Sequence, residues 1–337
     1  MPRSDFRTGK AAKRWLYLTH RWIGIGSCLL FCIWFLSGLV MIYVPYPSLS
    51  ARDRAAAGGA IDWQQVERAP SSAAIGLSAG ALLVMRDGQP VWRMTASDGT
   101  LSILPARSHL RISPVDEAYA LREAARFSGS APVRAERVSR DQWTVAGGFD
   151  QHRPLWKVTL ADAAGTSLYI STATGAVVQR TTRYARFWNW LGSVPHWIYP
   201  TALRQDNAIW RQVVMWVSGP SIAAAVTGFW IGILRTRLGR RRYKQGRMTP
   251  YHGWLLWHHV AGLTGGLFLI GWIFSGWLSV DPGRLFAGSD PGAAAARAYS
   301  GNPAPNAAEL DRLRLLAPSA TMVVFGDHGG IRSATIF

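Results

Sequence analysis

From Trp22 to Val44 the chain runs for 23 residues without a charged side chain, and no other stretch constrains its fold as much. A bilayer core of roughly 30 Å is crossed by about 20 helical residues. A helix is also one of the few structures that satisfies its own backbone polar groups there. Two further candidate spans follow, Gln212–Leu234 and Val260–Val280, the last ended by Asp281-Pro282. All three carry Gly and Trp, as membrane helices do. The alternative, core helices of a soluble protein, sits badly with runs of this length.

The first and third spans repeat one another. Without a gap, His20, Gly24, Leu29, Trp34, Ser37 and Gly38 match His258, Gly262, Leu267, Trp272, Ser275 and Gly276. At about 100° per residue, His20, Gly24, Trp34 and Gly38 fall within about 40° of one line along the helix. Leu29 and Ser37 lie off it. An apolar helix needs only apolar residues, so a repeated histidine asks for a chemical reason.

Charge sets the expected orientation. Arg3, Arg7, Lys10, Lys13, Arg14 and Arg21 precede the first span against a single acid, Asp5. The link Arg235–Arg247 after the second span has seven cations and no acid. Together these segments supply +12 of a net charge of +18. Cations in short flanks stay cytoplasmic, so both copies of the repeat run from cytoplasm to periplasm, as a parallel repeat. No basic face interleaves with base-stacking aromatics, which argues against a nucleic-acid partner. The first span exceeds the apolar core of about 7–15 residues in a signal peptide, and Tyr43-Val-Pro-Tyr46 reads as an interfacial anchor. It is therefore expected to be retained. Cys28 and Cys32, the only cysteines, lie inside it and are expected to be small buried apolar filler rather than a metal site or disulfide.

Residues 45–211, 167 in all, separate the first two spans, enough for a small folded domain. Ser113–Phe127 reads as an amphipathic helix opened by an N-cap Ser and Pro at the first helical position. Leu155–Leu160, Thr166–Ser171 and Ala176–Arg180 read as strands around Gly-containing turns. Helix followed by antiparallel strands gives an α+β unit. After the third span, a helix at Ala307–Leu316 and a strand at Thr321–Phe325 are expected.

The run Leu155-Trp-Lys-Val-Thr-Leu160, Leu168-Tyr-Ile-Ser171, Thr174-Gly-Ala-Val-Val178 resembles the PepSY domain signature. The helices carrying His, Gly and Ser-Gly resemble the PepSY-associated transmembrane family, over residues from about 13 to 285. That family includes iron-regulated inner-membrane proteins of the PiuB-like type and ferric-siderophore reductases. The resemblance implies an α-helical membrane protein with three transmembrane helices, a periplasmic α+β PepSY-like domain and an incomplete second one. The segments are then a cytoplasmic basic arm 1–21, a first helix 22–44, a PepSY-like domain 45–185 and an approach segment 186–211. A second helix 212–234, a basic cytoplasmic loop 235–252, a third helix 253–280 and a second periplasmic segment 281–337 complete the chain. Family members commonly close that second unit with a fourth span, which is not found here. A truncated product and a three-span variant both fit.

His20 and His258 enter their helices from one side at equivalent depth. Two facing imidazoles, with Gly24 and Gly262 stripping bulk one turn deeper, suit a flat macrocycle whose iron takes a nitrogen from each side. The family implies the same cofactor, one or two b-type haems. The alternative is that both histidines are interfacial polar caps and the glycines allow close helix contact. His259, about 100° round from His258, is the runner-up ligand, and His252 lies near the water boundary. His196, flanked by Trp197 and Tyr199, looks like one ligand of an outer haem whose partner would come from the missing fourth span. His109, His152 and His328 are weak candidates in the soluble parts. Trp34 and Trp272 either line the gap between two haems or fill the helix seam. Arg211 either snorkels to headgroups or meets a haem propionate.

The function expected on this reading is electron transfer across the bacterial inner membrane to a periplasmic ferric siderophore or other ferric chelate. The donor would be a quinol or a cytoplasmic reductant, the surroundings the lipid bilayer, and a homo-oligomer is allowed. Arg134, Arg137, Arg140, Trp143 and Trp156 are the residues that would meet an anionic chelate. The rival from another class is a non-redox, membrane-anchored PepSY module that binds a peptide, protease or envelope partner along a strand edge. A permease subunit is disfavoured because the spans show neither acids nor broken helices.

Overall fold

The structure, a computed structural model, describes residues 4–337 except 68, 71–77, 97, 108–111, 113, 286–287, 289–291, 293–294, 296–297, 300 and 302. Along the chain, α1 (Ser4–Tyr43) is followed by α2 (Ala51–Ala56) and the strands β1 (Ser78–Arg86), β2 (Gln89–Ala96) and β3 (Leu101–Pro105). Next come α3 (Glu117–Ser128), β4 (Pro132–Val138), β5 (Leu155–Leu160), β6 (Ser167–Ser171) and β7 (Val177–Thr181). Four helices follow: α4 (Arg183–Leu191), α5 (Ser193–His196), α6 (Thr201–Arg204) and α7 (Asn207–Arg235). The last elements are α8 (Gly253–Thr264), α9 (Gly266–Ser279), α10 (Ala307–Leu316), β8 (Met322–His328) and β9 (Ile331–Ile336). They divide into a helical unit, Met1–Tyr43 with Leu191–Gly288, and an αβ unit, Val44–Trp190 with Ser289–Phe337.

The helical unit is turned inside out relative to a soluble bundle. Trp22, Leu29, Leu36, Trp216 and Trp272 are exposed, while Ser27, Ser37, Ser218, Ser221 and Ala224 are buried between helices. Small and weakly polar residues inside with bulky apolar ones outside are the pattern of helices that pack within lipid. Two helices, α1 and α7, are long and apolar enough to cross a membrane, and the bent pair α8–α9 makes a third if it is one span. The charge-free run of the sequence is the distal part of α1, which begins well before Trp22 at Ser4.

The segment expected as a straight third span is bent, against the sequence expectation. α8 and α9 meet at an angle of 60°. Gly265 and Gly266 sit at the break, and the Thr264 hydroxyl bonds back to the Val260 carbonyl at 3.0 Å, a competitor for the helix ladder. The absence of broken helices therefore no longer counts against a permease. On α7, small residues at Ala224, Gly228 and Gly232 let neighbours approach closely. A Cβ on Gly232 would lie 2.8 Å from Leu263.

The αβ unit holds two antiparallel sheets, β3-β2-β1-β8-β9 and β4-β5-β6-β7. α3 lays Tyr119, Ala120 and Ala124 on Val158, Leu168, Ile170 and Val177 of the four-stranded sheet. Asp116 caps it, accepting from the Tyr119 amide at 2.8 Å, and Gly129 ends it in the left-handed region at φ 67°. The helix thus starts later than the expected Ser113, which lies outside the described residues. α10 falls where the sequence put it and covers the five-stranded sheet through Leu310 and Leu313, against Leu83, Trp92, Met94 and Val323.

The segment 281–337, read as an incomplete second domain, does not stand apart. β8 pairs with β1 in the register Leu83 to Val323 and Ala81 to Phe325. It belongs to a sheet whose other four strands, β1–β3 and β9, were not anticipated. Arg86 of β1 joins the two layers, donating to the Tyr119 hydroxyl at 3.2 Å with its guanidinium 4.7 Å from the ring centre.

His152 ends the 3₁₀ turn Gly147–His152 with Nδ1 3.0 Å from the Ser171 hydroxyl. Burial pulls its pKa down to about 4 from 6.5, and the nearby Arg93 and Arg54 push the same way. The unfolded chain then binds the proton first, so this stability is complete above about pH 6.5 and is lost as pH falls toward 4. The thermal midpoint of the wild type should drop through that window more than that of His152→Gln. Parallel curves would remove His152 as the cause.

Candidate functional site

Within the helical unit, α1 places His20 against α7. Its Nδ1 lies 3.0 Å from the Ala224 carbonyl oxygen. A carbonyl only accepts, so Nδ1 carries the proton and the Nε2 lone pair is left free. Donation from one ring nitrogen to a backbone carbonyl is how ligating histidines are commonly oriented. One turn on, Gly228 makes room for the ring: a Cβ there would sit 2.4 Å from His20 Cε1.

α8 brings His258 to the same place. The two rings have centroids 6.2 Å apart and planes inclined by 37°. Two nitrogens each about 2 Å from a shared metal lie about 4 Å apart, and the half-width of each ring brings the centroids to about 6 Å. The pair could therefore hold a metal between them. No group of three or more His, Cys, Asp or Glu is found among the described residues. A metal at this pair would have to bring most of its own ligands, as a macrocycle does. Gly24 and Gly262 meet nothing within 4 Å of an added Cβ. Close helix contact, the alternative reason for these two glycines, is not what they provide.

His259 is turned away into the helix seam. It is buried, its Nε2 is 3.2 Å from the Thr236 hydroxyl, and its ring is 5.2 Å from that of Tyr251. His252 precedes α8 beside the Arg247 guanidinium, 2.7 Å away.

The second half of the repeated motif cradles a different histidine. His196 Nδ1 is 3.1 Å from the Trp34 carbonyl and 3.1 Å from the Ser37 hydroxyl, again leaving Nε2 free. A Cβ on Gly38 would meet its Cε1 at 3.2 Å. His196 lines a cavity of about 490 Å³ together with Trp34, Trp197, Trp210 and Trp272. The Trp34 indole N–H is buried there without a hydrogen-bond partner among the described residues. In the second copy Ser275 bonds to its own helix and Gly276 meets nothing within 4 Å, so that cradle holds no histidine. His20 and Trp34 are 14 residues apart on α1, so the two sites lie about 21 Å apart along the helix.

Other candidates have protein partners. Arg211 donates to the Val280 and Asp281 carbonyls, both at 2.9 Å, tying the start of α7 to the end of α9. Cys28 and Cys32 carry no disulfide and are exposed on α1, not buried as the sequence suggested. In the αβ unit Arg134 pairs with Glu136, Arg140 approaches Asp150 at 3.7 Å, and Arg137 stacks 5.8 Å from the Trp156 ring. Trp143 is buried and the Trp156 indole donates to the Val115 carbonyl. Arg134 and Arg140 thus each have a carboxylate at hand, while Arg137 meets an aromatic ring. His109 and the His328 side chain lie outside the described residues. Sequence reasoning missed Ala224 and Gly228, whose only signal was the small-residue spacing on α7.

A family model described as the PepSY-associated TM region matches residues 17–329. No curated protein matches the chain, and no solved structure does.

Proposed function

This chain belongs to the family of the PepSY-associated TM region, and from that premise we propose an inner-membrane b-haem protein that passes electrons to a ferric chelate outside the cytoplasm. The observation that carries the reading is the His20–His258 pair, 6.2 Å between ring centres, with His20 already oriented through Nδ1. His20 and His258 would hold the inner haem, and His196 would offer one nitrogen to an outer one. When bound, a haem supplies reversible one-electron transfer whose potential follows from its axial ligands and the polarity around it. The chain's own part is to fix the ligand rings: Ala224 orients His20, Gly228 admits it, and Ser37 with Trp34 holds His196. The basic residues in the first half of α1 and after α7 favour a cytoplasmic N-terminus with the αβ unit periplasmic. The electron donor would be a quinol or a cytoplasmic reductant. Reduction releases iron because Fe(II) is a softer, weaker ligand acceptor than Fe(III) for hard-oxygen chelators.

The test is a reduced-minus-oxidised spectrum of the full chain purified from membranes of a haem-replete host. Bands of a b-type haem are expected at one haem or more per chain. A colourless protein from such a host would sink the reading. The second reading, a non-redox module binding an extended peptide, is favoured by β9, an edge strand exposed along its whole length. It predicts no haem bands and weaker peptide binding when Ser333→Pro interrupts the edge.

A further inference from the structure

The face of the five-stranded sheet turned away from α10 carries two arginines among mostly apolar side chains: Arg86, taken up by Tyr119, and Arg93. Along β2, Trp92 and Met94 point to the α10 side, so Val91, Arg93 and Thr95 point to the other. Leu82 stands opposite Arg93 on β1, and Val324 follows on β8. This face borders a cavity of about 510 Å³, within the range of small-molecule sites. Arg54 of α2 and His152 of the Gly147–His152 turn line it as well, and no carboxylate does among the described residues.

The charge on Arg93 is poorly compensated. Its Nε is buried without a hydrogen-bond partner, and no ion pair is made to it among the described residues. Burial draws its pKa down to about 10, while Tyr119 and Glu123 oppose that fall, so it stays charged at neutral pH. Glu123 is already held by Arg126 at 2.6 Å. Arg93 is half-buried with its Nε shut off from a partner, which is costly, and a ligand that supplies an acceptor recovers that cost. Thr95, Thr174 and Gln151 add neutral polar groups to the wall, while Leu82, Phe149 and Met322 make its apolar part.

We propose that this cavity binds a small organic acid, its carboxylate set between Arg93 and Arg54 and its apolar body against Leu82, Phe149 and Met322. The site belongs to the αβ unit and stands whether or not the helices hold a haem.

Isothermal titration of the full-length protein in detergent, with 2-naphthoate and the uncharged 2-naphthalenemethanol, tests it. The acid should bind, and the alcohol at least about tenfold more weakly, the loss expected for one charge-assisted hydrogen bond. Arg93→Met should weaken naphthoate binding by about tenfold or more. Arg54→Gln removes the second cation from a short helix without touching the sheet, and keeps the test open if Arg93→Met does not fold. Arg134→Gln, on a cation paired with Glu136 outside the cavity, should leave the affinity unchanged. No binding of naphthoate, equal affinity for acid and alcohol, or wild-type affinity in the Arg54→Gln protein would overturn the proposal.

Discussion

His258→Ala should remove the same haem spectral component that His20→Ala removes, with haem per chain falling at least about tenfold in each. The two variants are not equivalent controls. His20 holds α7 through Ala224, so its loss also costs a helix contact. His258 is exposed in the helical unit and makes no hydrogen bond among the described residues, and truncations of that kind usually move stability by no more than about 0.5 kcal/mol. Loss of haem from His258→Ala with unchanged detergent-stable yield would therefore be a ligand effect. His259→Ala is the counterpart, because it breaks the Thr236 contact and the packing on Tyr251 while leaving the pair intact. It should keep the component. Full spectra in His258→Ala combined with loss in His259→Ala would mean that the neighbouring imidazole is the ligand.

Much of this arrangement could be read from residue order, for reasons that are local. A run without charge longer than a bilayer is thick leaves few folds open, and α1 and α7 follow from it. The strands from Leu155 to Thr181 announce themselves through alternation and glycine turns. The hairpin of β1 and β2 was equally legible and was overlooked: Asp87-Gly88 turns it, with φ of 49° and 75°, and Asp-Gly between apolar runs is a strong short-range signal. The pairing of β1 with β8 is another matter. Some 240 residues separate Leu83 from Val323, and nothing in either strand names its partner, since any apolar strand edge offers the same hydrogen bonds. The bend between α8 and α9 also depends on what surrounds it, because Gly-Gly is tolerated in straight membrane helices. At the site, repetition exposed His20 and His258, yet the same repetition misled about Ser37 and Gly38. They matched Ser275 and Gly276, and Gly38 shared the stripe of His20 while Ser37 lay off it, whereas the fold gives both to His196. The acids beside Arg134 and Arg140, Glu136 and Asp150, could not be named from the sequence because they come close only once the strands and turns have formed.

Gly228→Ala should reproduce the spectral loss of His20→Ala while every histidine is still present. The added Cβ would stand 2.4 Å from His20 Cε1 and 2.9 Å from Nδ1, far inside the 3.5–4.0 Å at which carbon atoms attract (about 0.1–0.2 kcal/mol per pair). The ring has to move by about 1 Å or more to relieve this. It cannot do so and keep its 3.0 Å bond to Ala224, which lies one turn away on the same face of α7. Overpacking of this kind costs about 1–3 kcal/mol, which is roughly 5–150-fold in the population holding the ligand geometry. Gly232→Ala separates this effect from general disturbance of α7. Its Cβ would press on Leu263 at 2.8 Å, the end of a flexible side chain that can rotate away from a lipid-facing seam. Haem content of the Gly232 variant should stay near that of the wild type. A Gly228→Ala protein with undiminished bands would show that His20 does not need its present seat, and the pairing with His258 would lose its structural basis.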